Sequence, residues 1–531
     1  MPHIWVPAGQ LILRAWRVVR WYLPALLMGI GPLMVVIGAN VATVPLREAV
    51  ITRSLLAIAG AVLVILWALR LLQRDLAARA TWLASFLLLF NLYEASAQGL
   101  RAIGLQIWGR DPLFAVPYLI TILAIATLAS RPWELRPRDP VPLTLVGALL
   151  VFVALAPAVA AERPADPSWR TTADAMIAST LSEQPRADFA SPARDIYYIV
   201  LDGMGRADVL RNRHKVDLTP LTSALSSRGF YVAAEARSNY SQTSLSLAST
   251  LNMTYLDDLV RVTGTTTEDR APLHYLVQEN ALMRMASRAG YSVVAIGSDY
   301  MVTQEFSHAD VCMCALVGLD EVEIAAITLT PLATLPPRLW TTDPYDAHRQ
   351  KIMSEFDALE RFRSGSTRSF VFAHIIAPHP PFVFAKDGSA RRSQRPYSLA
   401  DWRGFGGSRE EYVTGYGDQA EFILRRTVEV IDQLLKRPGP APIIVVHGDH
   451  GPGSMIRWDG PDPAAMRERM GIFAAYYYPD GNADLYPTIT PVNGARVLAR
   501  NFGVGLKKIR DESFFADWDR PYEFVPVAEQ P

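Results

Sequence analysis

Five long apolar segments crowd into roughly the first 160 residues: about Trp21–Val44, Ile51–Leu72, Thr81–Leu100, Leu113–Ala129 and Val141–Ala161. At ~1.5 Å of rise per residue, each is long enough to cross a hydrocarbon core of ~30 Å. The third is the least clean because it carries Asn91 and Glu94. It and the fourth also admit a buried or re-entrant reading. Half of all residues are hydrophobic, but that average hides a gradient, a membrane region followed by a soluble one. A transmembrane region over 1–162, a linker over 163–194 and a soluble domain over 195–531 are therefore expected.

Arginine placement orients the region. Arg14, Arg17 and Arg20 precede the first segment, Arg70, Arg74 and Arg79 lie between the second and third, and Arg131, Arg136 and Arg138 between the fourth and fifth. The other two loops are poorer, with Arg47 and Arg53 around one and Arg101 and Arg110 in the other. This asymmetry puts the N-terminus in the cytoplasm and, after five crossings, everything beyond residue 162 on the outer side of the cell membrane, periplasmic or extracellular. A cleaved leader is not expected, because the first segment is long and more follow. Glu94, ionisable within a segment, has a functional reading; the plainer one is a solvated carboxylate near the interface beside Tyr93. The 52 basic and 52 acidic residues balance, so there is no call for a nucleic-acid partner.

The polar stretch 162–194 reads as connector, within which Trp169–Leu181 has the makings of a short helix lying on the membrane. From Asp195 the pattern changes. Ile196–Leu201, Ser292–Ile296, Ser369–Ala373 and Ile443–Val446 are short, continuous apolar runs, the mark of strands buried on both faces. Helical spacing falls between them, most clearly over Glu411–Arg437, which Pro438-Gly439-Pro440 ends. The expected fold class is α/β, a mixed, mostly parallel sheet sandwiched by helices.

The polar residues then fall at the carboxyl ends of these strands, where such sheets bind ligands. Asp202-Gly203 follows Leu201, His447-Gly448-Asp449-His450-Gly451 follows Val446, and His374 follows Ala373, with His379 five residues on. A strand-end Asp-Gly is usually only a turn, and a lone His is usually structural. Agreement among widely separated segments is what points to one site. Carboxylates with imidazoles suit Zn²⁺ or Mn²⁺. A further segment, Ser238–Leu251, is crowded with hydroxyls and reads as a helix beginning near Thr243. A hydroxyl there is either a helix cap or a nucleophile. Cys312 and Cys314 are the only cysteines; a metal site, a local disulfide and two ordinary thiols all remain open for them.

Taken in order, IYYIVLDGMGR, NYSQTSLSLAS, HIIAPHPPF and VVHGDHGPGS resemble the alkaline phosphatase/sulfatase superfamily, over roughly Asp195 to residue 500. With the apolar anchor, the chain also resembles lipoteichoic-acid synthases and lipid A phosphoethanolamine transferases. The resemblance implies a divalent metal, Zn or Mn, held by Asp202, Thr243, Asp449 and His450. It implies Thr243 as nucleophile and His379 as a contact to the substrate phosphate or a second metal. His374, His447, Gln242 and Asn239 lie near these motifs without a counterpart. Two departures matter. Thr243–Leu247 lacks the Pro and Arg of the formylglycine motif of arylsulfatases, and Ser249 stands where many phosphoethanolamine transferases carry a cysteine. The function so implied is transfer of a phosphate-linked head group from a membrane-lipid donor to an envelope glycan or lipid. Hydrolysis of a phosphate or sulfate ester at the same site is the alternative.

The topology is directly testable. A reporter that is active only outside the cytoplasm should work when fused after residue 531 and fail when fused before residue 1; the reverse pattern would overturn the orientation.

Overall fold

The computed structural model of the chain describes residues 8–40, 48–72, 75–103, 112–131, 139–160, 168–182, 194–306, 308–314, 318–319, 321–335, 343–393, 397–401, 405–456, 460, 462–481 and 484–528. Much of the expected linker, and Arg47, Arg74, Arg110, Arg136 and Arg138, lie outside them. The chain forms two compact units, residues 1–163 with 318–342, and residues 164–317 with 343–531.

The first unit is helical. Its helices are α1 (Ala8–Gly29), α2 (Gly31–Asn40), α3 (Glu48–Ala68), α4 (Leu76–Asn91), α5 (Tyr93–Ala102), α6 (Pro112–Ser130) and α7 (Val141–Ala160). One stretch, Val50–Leu71, is by itself long and apolar enough to cross a membrane. Two bent pairs, Val19–Gly29 with Gly31–Ala39 and Leu76–Asn91 with Tyr93–Ala102, pass the same test when each is taken as one span. Leu113–Ala129 and Val141–Pro157 are apolar but shorter. Small residues set the packing of α2 on α7: a side chain at Gly38 would collide with the Ala154 carbonyl. Glu94, partly exposed on α5, pairs with Arg101 at 2.5 Å.

Residues 318–342 depart from the expected boundary, which placed them in the catalytic domain. The helix Glu321–Thr328 packs on α2, and Glu323, nearly buried, is held by Arg53 and by Ser54 Oγ at 2.9 Å. A carboxylate in an apolar bundle is costly unless paired, and here both partners come from α3. The helix Glu321–Thr328, of eight residues, is too short to register as a span from hydropathy.

The second unit is built on a seven-stranded sheet. Its strands are β1 (Ile196–Leu201), β2 (Tyr231–Val232), β3 (Ser292–Ile296), β4 (Val311–Met313), β5 (Ser369–Ile375), β6 (Ile443–Gly448) and β7 (Ala474–Tyr477). Their order is β2-β7-β6-β1-β5-β3-β4. β6, β1, β5, β3 and β4 run parallel, while β7 pairs antiparallel with both β6 and β2. The continuous apolar runs are explained by burial on both faces. Ile196, Tyr198 and Val200 join Phe370, Phe372, Ile443 and Val445 in one core. Tyr197, Ile199 and Leu201 join Val371, Ala373, Ile444 and Val446 in the other. The helices Thr243–Asn252, Ala271–Gln278 and Pro491–Leu498 cover the first face. Pro344–Arg361 and Arg409–Leu435 cover the second.

The helix over Ser168–Leu181 forms as expected but does not lie free for a membrane. Its Ala173, Met176 and Ile177 are buried in the first core, so the second unit begins before residue 195. Cys312 and Cys314, on and just after the edge strand β4, form a disulfide.

Burial also creates a pH dependence. His274, on a helix over the first core, is nearly buried, and burial followed by the nearby Arg270 charge pushes its pKa from 6.5 to about 4. The folded chain refuses a proton that the unfolded chain accepts. This contribution to stability is therefore intact above pH 6.5 and is lost as pH falls to about 4. His274→Leu should remove on the order of 3 kcal/mol of acid sensitivity across that window, read from denaturant midpoints at pH 7 and pH 4.5. Identical pH slopes in the two proteins would contradict it.

Candidate active site

Strand alternation decides which side chains meet. Successive residues of a strand face opposite sides, and β1 runs in register with both neighbours, Val200 level with His374 and His447, Leu201 level with Ile375 and Gly448. Asp202, His374, His447 and Asp449 share the parity of Tyr198 and Val200, and so face the side covered by the helix Thr243–Asn252. The Asp202 N–H still bonds to Ile375 O at 2.9 Å, extending the strand by one residue. Gly203 then turns with φ of +75°, a conformation glycine adopts without strain. Its N–H donates to Asp449 Oδ1 at 2.9 Å, tying the two strand ends together.

Asp202, Asp449 and His450 are buried and offer ligand atoms that all lie within 4.8 Å of one another. The His450 Nδ1 proton goes to Gly451 O at 2.9 Å, which leaves Nε2 as a lone pair. That nitrogen lies 3.0 Å from Thr243 Oγ1, 3.4 Å from Asp449 Oδ2 and 3.5 Å from Asp202 Oδ1. Thr243 Oγ1 is also 3.5 Å from Asp202 Oδ2. Asp202 Oδ1 and Asp449 Oδ2 are buried without a hydrogen-bond partner. Two orphaned carboxylate oxygens and an imidazole lone pair converging in a buried site are what a divalent cation satisfies. The donor set therefore fits a metal of the Zn or Mn kind.

Burial alone would raise the Asp202 carboxyl, but the His379 and His374 imidazoles outweigh it and hold the group well below the usual carboxylate range. Burial, then the Arg469 charge, lowers the His450 imidazole, keeping it in the neutral form a ligand needs.

Thr243 is the first residue of its helix, with Gln242 in the capping position. Its hydroxyl turns to Asp202 and His450 instead of capping. The helix has its unpaired first-turn N–H groups at that end, a natural seat for an anion. His379 Nδ1 bonds to Pro380 O at 2.7 Å, its N–H bonds to Asp202 O at 3.0 Å, and its ring centroid lies 6.2 Å from that of His450.

The remaining sequence candidates are supports. His374 Nε2 faces Asp202 Oδ2 at 3.3 Å while Nδ1 meets Thr303 Oγ1 at 2.8 Å. His447 Nε2 meets Tyr198 OH at 2.9 Å, and burial pushes its pKa to about 4. Asn239 Oδ1 accepts from Val492 N, and Gln242 Nε2 donates to Ala516 O and Asp517 O.

Sequence reasoning missed Arg469 and Asp401. Arg469 is buried, donates from Nε to Ser241 O at 2.8 Å and from Nη1 to Gly451 O at 3.1 Å, pairs with Asp401, and brings Nη2 to 3.2 Å from His450 Nε2. Asp401 also accepts from Tyr412 OH at 2.8 Å. In the sequence Arg469 ends a charged run, Met466-Arg467-Glu468-Arg469-Met470, that reads as an ordinary solvated helix face.

A mostly parallel α/β sheet thus gathers Asp, His and a helix-borne hydroxyl at its carboxyl edge. The sulfatase family model matches residues 194–487, over half of the chain, and the chain belongs to that family of enzymes. No curated protein matches it significantly. Among solved structures, it is similar to the C-terminal periplasmic domain of EptC from Escherichia coli in complex with Zn, at 12% identity, over 65% of this chain and 95% of that one, with a TM-score of 0.41. It is similar to the integral membrane lipooligosaccharide phosphoethanolamine transferase EptA from Neisseria meningitidis, at 13% identity, over 92% and 95% of the chains, with a TM-score of 0.39. It is also similar to the lipoteichoic acid synthase LtaP from Listeria monocytogenes, at 12% identity, over 65% and 81%, with a TM-score of 0.36.

Proposed function

We propose that the chain is a membrane-anchored, metal-dependent transferase of the sulfatase family. It would move a phosphate-linked head group from a membrane-lipid donor to an envelope glycan or lipid, with Thr243 as nucleophile. One observation carries this reading: the Thr243 hydroxyl stands at a helix N-terminus, 3.0 Å from the lone-pair nitrogen of His450, beside the orphaned oxygens of Asp202 and Asp449.

Asp202, Asp449, His450 and Thr243 are the residues that would hold the ion. A bound Zn²⁺ or Mn²⁺ supplies a lowered hydroxyl pKa and a polarised phosphoryl oxygen. Thr243 Oγ1 attacks phosphorus in line, forming one P–O bond as the bond to the donor alcohol breaks. The first-turn N–H groups of the Thr243 helix receive charge on the phosphoryl oxygens. His379, oriented by Pro380 O, protonates the leaving oxygen. The acceptor alcohol, giving its proton back to His379, then attacks phosphorus as the Thr243 Oγ1–P bond breaks, which restores Thr243 and the protonated imidazole. Five apolar segments before the catalytic unit suit a lipid donor, with the N-terminus in the cytoplasm and the catalytic unit outside. The absence of the formylglycine motif at Thr243–Leu247 favours phosphate over sulfate.

Two measurements test this. Thr243→Ala should lower transfer from a lipid donor by at least about 1,000-fold while the chain stays folded; wild-type turnover would sink the nucleophile assignment. His450→Ala should weaken divalent-metal binding by at least about tenfold, measured by equilibrium dialysis and elemental analysis; undiminished metal content would remove His450 from the ligand set. Release of the head group to water, with none reaching an added acceptor, would make the enzyme a hydrolase.

A further inference from the structure

We propose that residues 318–342 are a second membrane anchor, fixed in the membrane bundle by the Glu323 carboxylate and holding the second unit to the membrane independently of the linker. This rests on the reading of the first unit as a membrane bundle, and on nothing assigned to Thr243.

The chain up to Val317, and again from Asp343, belongs to the second unit, whereas residues 318–342 belong to the first. The second unit is therefore joined to the bundle on both sides of this segment as well as through the linker. The contacts of the segment gather at one end of the bundle. Its helix Glu321–Thr328 packs on α2, with which the first bent pair ends. Glu323 meets Arg53 and Ser54 in the first two turns of α3, and Leu329 O accepts from the Glu94 N–H at 3.4 Å at the start of α5. The chain turns back between α2 and α3, so these contacts share the end at which α7, after a further return crossing, hands the chain on to the second unit. Surface chemistry agrees with hydrocarbon around the segment. The hydroxyls of Thr328, Thr330 and Thr334 donate to carbonyls of their own turns, Ala325 O at 2.6 Å, Ile327 O at 2.8 Å and Pro331 O at 2.7 Å. The large side chains left exposed, Leu332 and Leu335, are apolar. Polar groups satisfied from within and apolar groups turned outward are what a bilayer demands. Glu323 then sets the position. Its nearly buried carboxylate takes both Nε and Nη2 of Arg53, and Ser54 Oγ donates to it at 2.9 Å. A forked contact of this kind is geometrically specific, and removing one partner from it in apolar surroundings is costly.

The plainer alternative is a passive loop, with the linker alone holding the second unit at the membrane. Cutting the linker separates the two. A protease recognition sequence is inserted between Arg163 and Pro164 of the full chain. That point lies ahead of the helix Ser168–Leu181, whose packing in the first core would hold the fragments together after any later cut. Beyond it, no helix among the described residues is long and apolar enough to cross a membrane. Membranes carrying the chain are cleaved, washed in high salt to strip contacts held by exposed charge alone, and sedimented. The fragment from Pro164 to Pro531 should stay in the pellet with the fragment 1–163. Glu323→Ala should raise its release at least about tenfold, because one partner of a buried ion pair is gone. Arg53→Glu should do the same, and Arg53→Glu combined with Glu323→Arg should recover most of the retention, which a general loss of packing would not allow. Release of the wild-type fragment on cleavage would overturn the proposal, and so would equal release from the wild type and Glu323→Ala. If Glu323→Ala does not fold, Arg53→Glu, which leaves the second unit and the segment unaltered, decides in the same way. Fragment 1–163 appearing in the supernatant would refute the membrane reading of the first unit, and this proposal with it.

Discussion

The register of β1 between β5 and β6 is the constraint on which the site depends. Leu201 sits level with Ile375 on one side and Gly448 on the other, so two segments far apart in the chain release Asp202 and Asp449 at the same height. A one-residue slip would turn every side chain of a strand to the opposite face. Such a slip is disfavoured because both faces are buried, Tyr198 in one core and Tyr197 in the other. The apolar packing of the sheet thus fixes the placement of a polar centre that adds nothing to that packing. Gly448 belongs to the same device, since a side chain there would strike the Met204 carbonyl.

The polar centre is electrostatically incomplete. Two carboxylates buried side by side disfavour each other's charge, yet the imidazoles around Asp202 hold it ionised. Asp449 has one oxygen satisfied by Gly203 and the other by nothing among the described residues. Such an arrangement is costly in an empty protein and sensible around a cation. The buried Arg469–Asp401 pair follows the same logic. An ion pair in that environment is weak evidence of stability, and this one lies within hydrogen-bond reach of His450.

Much of this was legible in the sequence. The runs Ile196–Leu201 and Ser292–Ile296 coincide with β1 and β3, because short runs rich in β-branched and aromatic residues and bounded by turn residues favour a buried strand over a helix; the helix expected near Thr243 also starts there. β2, of two residues, and β4, of three, carry too little pattern to read. Arg469 and Asp401 were invisible because nothing local marks them. Arg469 closes a helix whose composition is that of a solvated surface, and only the return of β7 beside β6 brings it to His450. The segment 318–342 was misplaced for a related reason: the match between Glu323 and Arg53 spans some 270 residues, far beyond any periodicity window. The helix Ser168–Leu181 was correctly anticipated as a helix but not as a core element, since the apolar face of an amphipathic helix suits a membrane and a protein core alike.

The central claim is that Thr243 carries the transferred group. Its most direct test is tandem mass spectrometry of the purified full chain, quenched in acid after brief incubation with a lipid donor and no acceptor. The account predicts one covalent adduct, localised to Thr243, whose mass equals a phosphate-linked head group. A donor that is consumed while Thr243 stays unmodified, or an adduct on another residue, would contradict it.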